Sequence, residues 1–182
     1  MRLFVGVPLS AGVTHELSAI SQRLQSGAGG LRWMTPDSWH ITLQFLGSCS
    51  DEQYECTVAG LRAIHLPPVS ITLDALGVFD RAGIVFAGVT VAPQLLQLQE
   101  RVTAATEPCG FVAETRPYQP HITLARSKGK GPHPHLNELH TIINRQPKFS
   151  GFVAHEFLLY ESFLGPAGSR YEVRQRFPLK DL

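Results

Sequence analysis

The chain has 182 residues, with 43% hydrophobic and 17% charged residues, a length and balance that allow a buried core and exclude intrinsic disorder. Lys and Arg number 16 against 15 Asp and Glu, a formal net charge of +1, so no overall basic field marks a binder of long duplex nucleic acid. Any polyanionic ligand must be held by a local site, which suits a small or single-stranded molecule.

Residues 2–9 (RLFVGVPL) read as a buried strand. Ser10 is placed to cap a following helix, with Val13, Leu17, Ile20 and Leu24 on one face. The run Gly27-Ala28-Gly29-Gly30 ends that helix, and 31–38 reads as a loop. A strand over 39–46 comes next. Ser50-Asp51-Glu52-Gln53 forms a capping box opening a helix with Tyr54, Val58 and Leu61 inward, and Pro67-Pro68 stops it. Two strands follow, 69–76 and 84–91, through a hairpin turn at Asp80-Arg81-Ala82-Gly83. A helix over about 93–107 carries Leu95, Leu98 and Val102 on one side. A loop with Arg116, Pro117 and Pro120 leads to a strand at 121–126, then a basic Gly/Pro-rich loop at 127–135. A helix over about 135–144, with Leu136, Leu139 and Ile143 inward, precedes two last strands near 152–160 and 170–177. The order is β-α-β-α-β-β-α-β-α-β-β, an α+β arrangement of two similar lobes with approximate two-fold symmetry.

Cys49, Cys56 and Cys109 are an odd count with no CxxC spacing. They read as reduced thiols, without a disulfide frame or a zinc site, and point to a cytoplasmic protein. No run approaches a membrane span, and residues 1–7, ended by Pro8, read as a first strand rather than a signal peptide.

The feature that asks for an explanation is His-Ile-Thr-Leu, present at 40–43 and again at 121–124. In a strand, residues i and i+2 share a face. His40 and Thr42 therefore point one way and Ile41 and Leu43 the other, and the second copy behaves alike. Lobes related by a two-fold axis can turn both His/Thr faces toward one cleft. Two imidazoles suit phosphoester chemistry, one accepting a proton while the other donates, since a histidine pKa of about 6.5 lets both forms exist near neutral pH. Threonine hydroxyls can donate to non-bridging phosphate oxygens, and Arg126 adds a permanent positive charge.

A lone H-x-T on a strand is usually a satisfied core histidine; a repeat of four identical residues, each followed by a helix, tells against that reading. Metal binding through His40 and His121 is disfavoured, because no carboxylate or cysteine stands nearby at ligand spacing. His133 and His135 in GPHPH and the lysines of SKGKG read as a solvated loop. His15, His65, His140 and His155 have no nameable partner and read as structural or surface groups.

The paired H-x-T-L motifs resemble the signature of the 2H phosphoesterase superfamily. The flanking text (RLFVGVPL, RWMTPDSWHITLQFLG, FAGVTVAPQLLQLQERV, RPYQPHITLAR, LLYESFLGPAGSRYEV) is similar to the bacterial RNA 2′,3′-cyclic phosphodiesterases, also called 2′-5′ RNA ligases. The resemblance implies one bilobal domain over 1–182 with its active site in the groove between lobes. It implies hydrolysis of an RNA 2′,3′-cyclic phosphate to a 2′-phosphomonoester with no metal and no cofactor. By the same resemblance His40 is the general acid and His121 the general base. Thr42 and Thr123 hold the phosphate, and Phe45 and Arg126 sandwich the terminal nucleobase. Phe86 stands where members of the family often carry tryptophan, a change expected to alter packing rather than chemistry. The implied partner is RNA with cyclic-phosphate ends, single-stranded or tRNA-derived, and the protein is expected to act as a monomer away from membranes. The residues alone leave other readings open: the reverse 2′-5′ joining reaction, a small cyclic nucleotide, a cyclic ADP-ribose phosphate or a 2′-5′ oligonucleotide as substrate, or a non-catalytic module that binds RNA ends.

Overall fold

The computed structural model describes residues 1–27, 29–128, 136–143, 149–166 and 168–181. Its strands are β1 (Arg2–Pro8), β2 (Leu31–Trp33), β3 (His40–Ser48), β4 (Val69–Ile71), β5 (Leu73–Phe79), β6 (Ile84–Val89), β7 (His121–Ser127), β8 (Phe152–Ala154), β9 (Glu156–Gly165) and β10 (Gly168–Pro178). Its helices are α1 (Ala11–Gln25), α2 (Asp51–Arg62), α3 (Pro93–Thr106) and α4 (Leu136–Ile143).

Helix starts follow from the residues that cap them. The Ser10 hydroxyl accepts from the Val13 amide ahead of α1, and at α2 both halves of the Ser50/Gln53 capping box are made. The apolar stripes bury as the helical period requires: Val13, Leu17, Ile20 and Leu24 in α1, Leu95, Leu98 and Val102 in α3, and Leu136, Leu139 and Ile143 in α4. Tyr54 of α2 stays half-buried because its hydroxyl accepts a hydrogen bond from Gln175 Nε2 at 3.2 Å.

Two four-stranded antiparallel sheets result, ordered β10-β9-β1-β3 and β2-β7-β6-β5. Each strand bearing the repeated tetrapeptide pairs with the strand that precedes a helix, although β3 ends its sheet while β7 lies inside its own, flanked by β2. β3 pairs with β1 across the crossover α1, and β7 pairs with β6 across α3. The units β1-α1-β3 and β6-α3-β7 share a strand-helix-strand order, with β2 inserted between α1 and β3 in the first.

Three short stretches differ from the sequence reading. Residues 31–33 form β2 and pair with β7, Arg32 opposite Arg126. Residues 69–76 and 152–160 each break, at Thr72 and His155, and the freed ends pair as a separate ribbon of β4 with β8. Three-residue strands carry too little of a period-2 pattern to read, and their pairing partners lie far away in sequence. The ribbon joins the two halves, as does a buried bond from Thr106 Oγ1 in α3 to Gln44 Oε1 in β3 at 2.8 Å.

The expectation of reduced thiols is overturned for two of the three cysteines. Cys56 on α2 and Cys109 in the turn after α3 are joined as a disulfide, with Cα atoms 5.7 Å apart, while Cys49 is free and buried. The packing of α2 against α3 brings them together, and no local spacing announces a pair separated by 53 residues. Gln53 reinforces the junction, its Nε2 donating to the Cys109 carbonyl at 3.2 Å. Closing a loop of that size restricts the unfolded chain. Cys109→Ser, or reduction, is expected to lower the unfolding free energy by about 2–4 kcal/mol, read by urea denaturation with and without dithiothreitol.

Candidate active site

The motif strands run as the alternation demands for three residues and then depart from it. Ile41 and Ile122 are fully buried, and His40, Thr42, His121 and Thr123 lie on the other face, half-exposed. On β3, Gly6 faces Thr42 and Val5 faces Gln44, so Leu43 is an extra residue; on β7, Phe86 faces Thr123 and Val85 faces Ala125, so Leu124 is extra. Each is a β-bulge at the leucine of the motif. The bulge buries two consecutive residues, Leu43-Gln44 and Leu124-Ala125, and shifts the alternation by one. Phe45 and Arg126 thereby return to the His/Thr face, where an unbroken strand would have sent them inward.

All six residues named from the sequence line one groove of about 1270 Å³, together with Tyr118, Phe79, Arg81, Arg116 and Tyr171. Phe45 is 71% exposed there, a large apolar ring held open to solvent. A smaller hollow of about 580 Å³ beside α2 and α3 has His65 and Arg101 as its ionisable lining and no comparable constellation. Among the described residues no three His, Cys, Asp or Glu side chains are grouped as metal ligands. His133 and His135 lie outside the described residues. His140, for which the sequence named no partner, meets Asp80 Oδ1 through Nε2 at 3.1 Å.

The two imidazoles are held alike. His40 Nδ1 lies 2.8 Å from the Ser38 carbonyl, and His121 Nδ1 lies 2.8 Å from the Gln119 carbonyl. A carbonyl only accepts, so each Nδ1 carries the proton and each Nε2 is left as the reactive nitrogen. The Ser38 carbonyl is presented by the 3-10 turn Pro36–Ser38, and the Gln119 carbonyl by a loop pinned where the Val89 amide donates to the Pro120 carbonyl at 3.1 Å.

Aromatic rings surround both. Phe4, Tyr171 and Tyr160 have centroids 4.6, 5.2 and 5.6 Å from that of His40, and Phe79 and Phe86 stand 5.1 and 5.6 Å from His121. Phe86 thus packs directly on the second motif histidine. Glycines make the space: a Cβ on Gly6 would lie 2.9 Å from the Ile41 carbonyl oxygen and 3.4 Å from the His40 ring, and one on Gly77 would lie 2.4 Å from the Phe86 ring.

These walls set the protonation of the empty groove. Burial, aided by the charges of His121 and Arg126, pushes the His40 pKa down to about 4 against the opposing Ser38 bond. Burial and then Arg126 lower His121 too, less strongly, with the Gln119 bond opposing. Burial raises the Tyr118 phenol well above its ordinary range, so it stays protonated.

The sequence reading missed Tyr118 and the ring of Phe4, Phe79, Tyr160 and Tyr171. Phe4 left a trace, since RLFVGVP places Leu3, Val5 and Val7 on one face and Phe4 with Gly6 on the other. Tyr118 left none, because it sits in a loop without periodicity.

With this geometry the chain is similar to known proteins over nearly its whole length. The family model described as the 2′-5′ RNA ligase superfamily matches residues 15–162. Relatives named RNA 2′,3′-cyclic phosphodiesterase include one from Archaeoglobus fulgidus, 28% identical over 94% of this chain and 97% of its own length. One from Escherichia coli K12 is 29% identical over 98% and 96%. Among solved structures, TT0787 of Thermus thermophilus superposes with TM-score 0.81 at 28% identity, and E. coli LigT complexed with 3′-AMP with TM-score 0.78 at 27%, each covering 99% of this chain and 98% of the other. The α+β architecture, the repeated motif strands and the family match agree: the chain belongs to the 2′-5′ RNA ligase superfamily.

Proposed function

We propose that the protein is an RNA 2′,3′-cyclic phosphodiesterase that opens a terminal cyclic phosphate to a 2′-phosphomonoester, with residues 1–182 acting as one bilobal catalytic unit. The observation that carries this reading is the mirrored pair of histidines, each with Nδ1 tied to a carbonyl and Nε2 free, on the walls of one groove. Family resemblance assigns the roles that this symmetric geometry leaves open. His121 Nε2 takes a proton from water as its oxygen attacks phosphorus, and His40 Nε2–H gives a proton to the 3′ oxygen as the bond from phosphorus to that oxygen breaks. The Thr42 and Thr123 hydroxyls donate to the non-bridging oxygens, where negative charge accumulates. Phe45 and Arg126 hold the terminal base between a ring and a guanidinium plane.

Burial, with Arg126 adding to it, favours neutral His121, as a general base requires. A general acid at His40 must be protonated, yet the empty groove keeps it neutral. The anionic cyclic phosphate resolves the conflict, since a negative charge beside the imidazole raises its proton affinity. The groove exceeds the roughly 300–1,000 Å³ of ordinary small-molecule pockets, which favours an RNA end over a cyclic mononucleotide; its lining carries Arg81 with Arg126, while Arg116 is paired to Glu114 at 3.1 Å. The reverse joining reaction uses the same groups and is outweighed by hydrolysis in water. The reading requires no metal or cofactor, and one chain supplies both motifs, so the enzyme acts as a monomer. No helix among the described residues is long and apolar enough to cross a membrane, and we assign the enzyme to the cytoplasm. The Cys56–Cys109 disulfide stands against a reducing compartment, so the assignment rests on the family reading and is tested by thiol trapping in intact cells: a reduced pair is expected, and a fully oxidised pair would contradict it.

His40→Ala and His121→Ala are each expected to lower kcat/KM by about 10²–10⁴ on a short RNA ending in a 2′,3′-cyclic phosphate, assayed with EDTA present. Near-wild-type turnover by either variant, or loss of wild-type turnover in EDTA, would sink the mechanism. No turnover of RNA alongside hydrolysis of a small cyclic nucleotide would move the substrate, and none of either would leave a binding module. Phe45→Ala is expected to raise KM about ten-fold or more, the scale of a lost base stack, with kcat little changed. The protonation states also predict stability. His40 binds its proton less readily in the native state than in the unfolded chain, so its contribution is intact above about pH 6.5 and is lost as the pH falls toward about 4. Urea unfolding at pH 7 and pH 5 should show a smaller loss for His40→Gln than for wild type; equal losses would contradict the assignment of the proton.

A further inference from the structure

Tyr118 stands in the loop that delivers the second motif, between Pro117 and Gln119, and its hydroxyl donates to the backbone carbonyl of Thr42 in the first motif at 2.9 Å. The bond spans 76 residues of sequence and links two residues that line the groove. β3 is the edge strand of its sheet, and the phenol donates to a backbone carbonyl on it. The next residue, Gln119, uses its carbonyl to orient His121. Two consecutive residues of one loop therefore grip both motifs, Tyr118 the first through its side chain and Gln119 the second through its backbone. The other links described above, the ribbon of β4 with β8, the pairing of β2 with β7, and the bonds from Thr106 to Gln44 and from Gln53 to the Cys109 carbonyl, do not end on a motif histidine or threonine.

We propose that Tyr118 is a positioning residue that sets the separation of the two H-x-T motifs across the groove. The proposal rests on the reading that both motifs act on one phosphate. Thr42 and Thr123 must reach oxygens of the same phosphorus while the histidines approach from opposite sides, and in-line displacement tolerates little error in that spacing. A hydrogen bond to the Thr42 backbone fixes the wall from which the Thr42 hydroxyl and the His40 ring project, without occupying the place of the substrate. The phenol keeps its proton well beyond neutral pH, so the clasp does not open as the histidines titrate.

Tyr118→Phe removes the hydroxyl and keeps the ring. On RNA with a 2′,3′-cyclic phosphate end, kcat is expected to fall about ten-fold, with KM within about two-fold of wild type and a melting temperature lower by no more than about 4 °C. Hydrogen–deuterium exchange of the ligand-free variant is expected to quicken in peptides covering both 38–45 and 119–124, and not in β9 or β10. A kcat within two-fold of wild type overturns the proposal, as does a lower melting temperature with kcat preserved, which would make Tyr118 a strut of the fold alone. Exchange that stays at the wild-type rate over 38–45 overturns it too. If the wild-type protein turns over no cyclic-phosphate RNA, the functional reading fails and the exchange comparison by itself decides the clasp.

Discussion

The groove is organised around a hydrogen bond that can run in only one direction. The carbonyls of Ser38 and Gln119 accept, so the Nδ1 atoms of His40 and His121 donate, and one defined nitrogen of each ring remains for chemistry. Everything around the rings serves to hold that arrangement. The turn before β3 and the pinned loop before β7 place the carbonyls. Gly6 leaves room for the His40 ring and the Ile41 carbonyl. The aromatic walls keep both imidazoles in a single pose and exclude much of their solvent.

The same walls impose an electrostatic cost. Two imidazoles and the Arg126 guanidinium share a partly desolvated space, which favours uncharged histidines until an anion arrives. On the proposed mechanism binding and activation are one event: the phosphate to be opened would also complete the charge balance that protonates His40. An empty groove with neutral imidazoles avoids the repulsion that three neighbouring cations would bring to the folded protein.

Much of this was legible in the sequence, and the limits are physical. The caps at Ser10 and Ser50 and the helical stripes were readable because they depend on residues within one turn of each other. His40, Thr42, His121 and Thr123 were readable because a two-residue period puts each pair on one face. Phe45 and Arg126 were not reachable by that period, which assigns them to the buried face; the bulges at Leu43 and Leu124 correct the phase. Arg126 was named beforehand for its charge beside the second motif, while Phe45 and the base-holding role of both came only from resemblance to a family. The short strands β2, β4 and β8 and the Cys56–Cys109 pair depend on partners far along the chain. Tyr118 was invisible for the same reason, since its role is a contact between loop and edge strand that no local pattern encodes.

The central claim is that two opposed imidazoles drive attack by water on a cyclic phosphate with loss of the 3′ oxygen. The most direct measurement is the product formed from an RNA 2′,3′-cyclic phosphate in ¹⁸O-enriched water containing EDTA, analysed by mass spectrometry and by mapping the phosphate position. The account predicts a single ¹⁸O on a 2′-phosphomonoester with a free 3′ hydroxyl. A 3′-phosphate would contradict the assigned leaving group, and the absence of ¹⁸O incorporation would contradict the role of water itself.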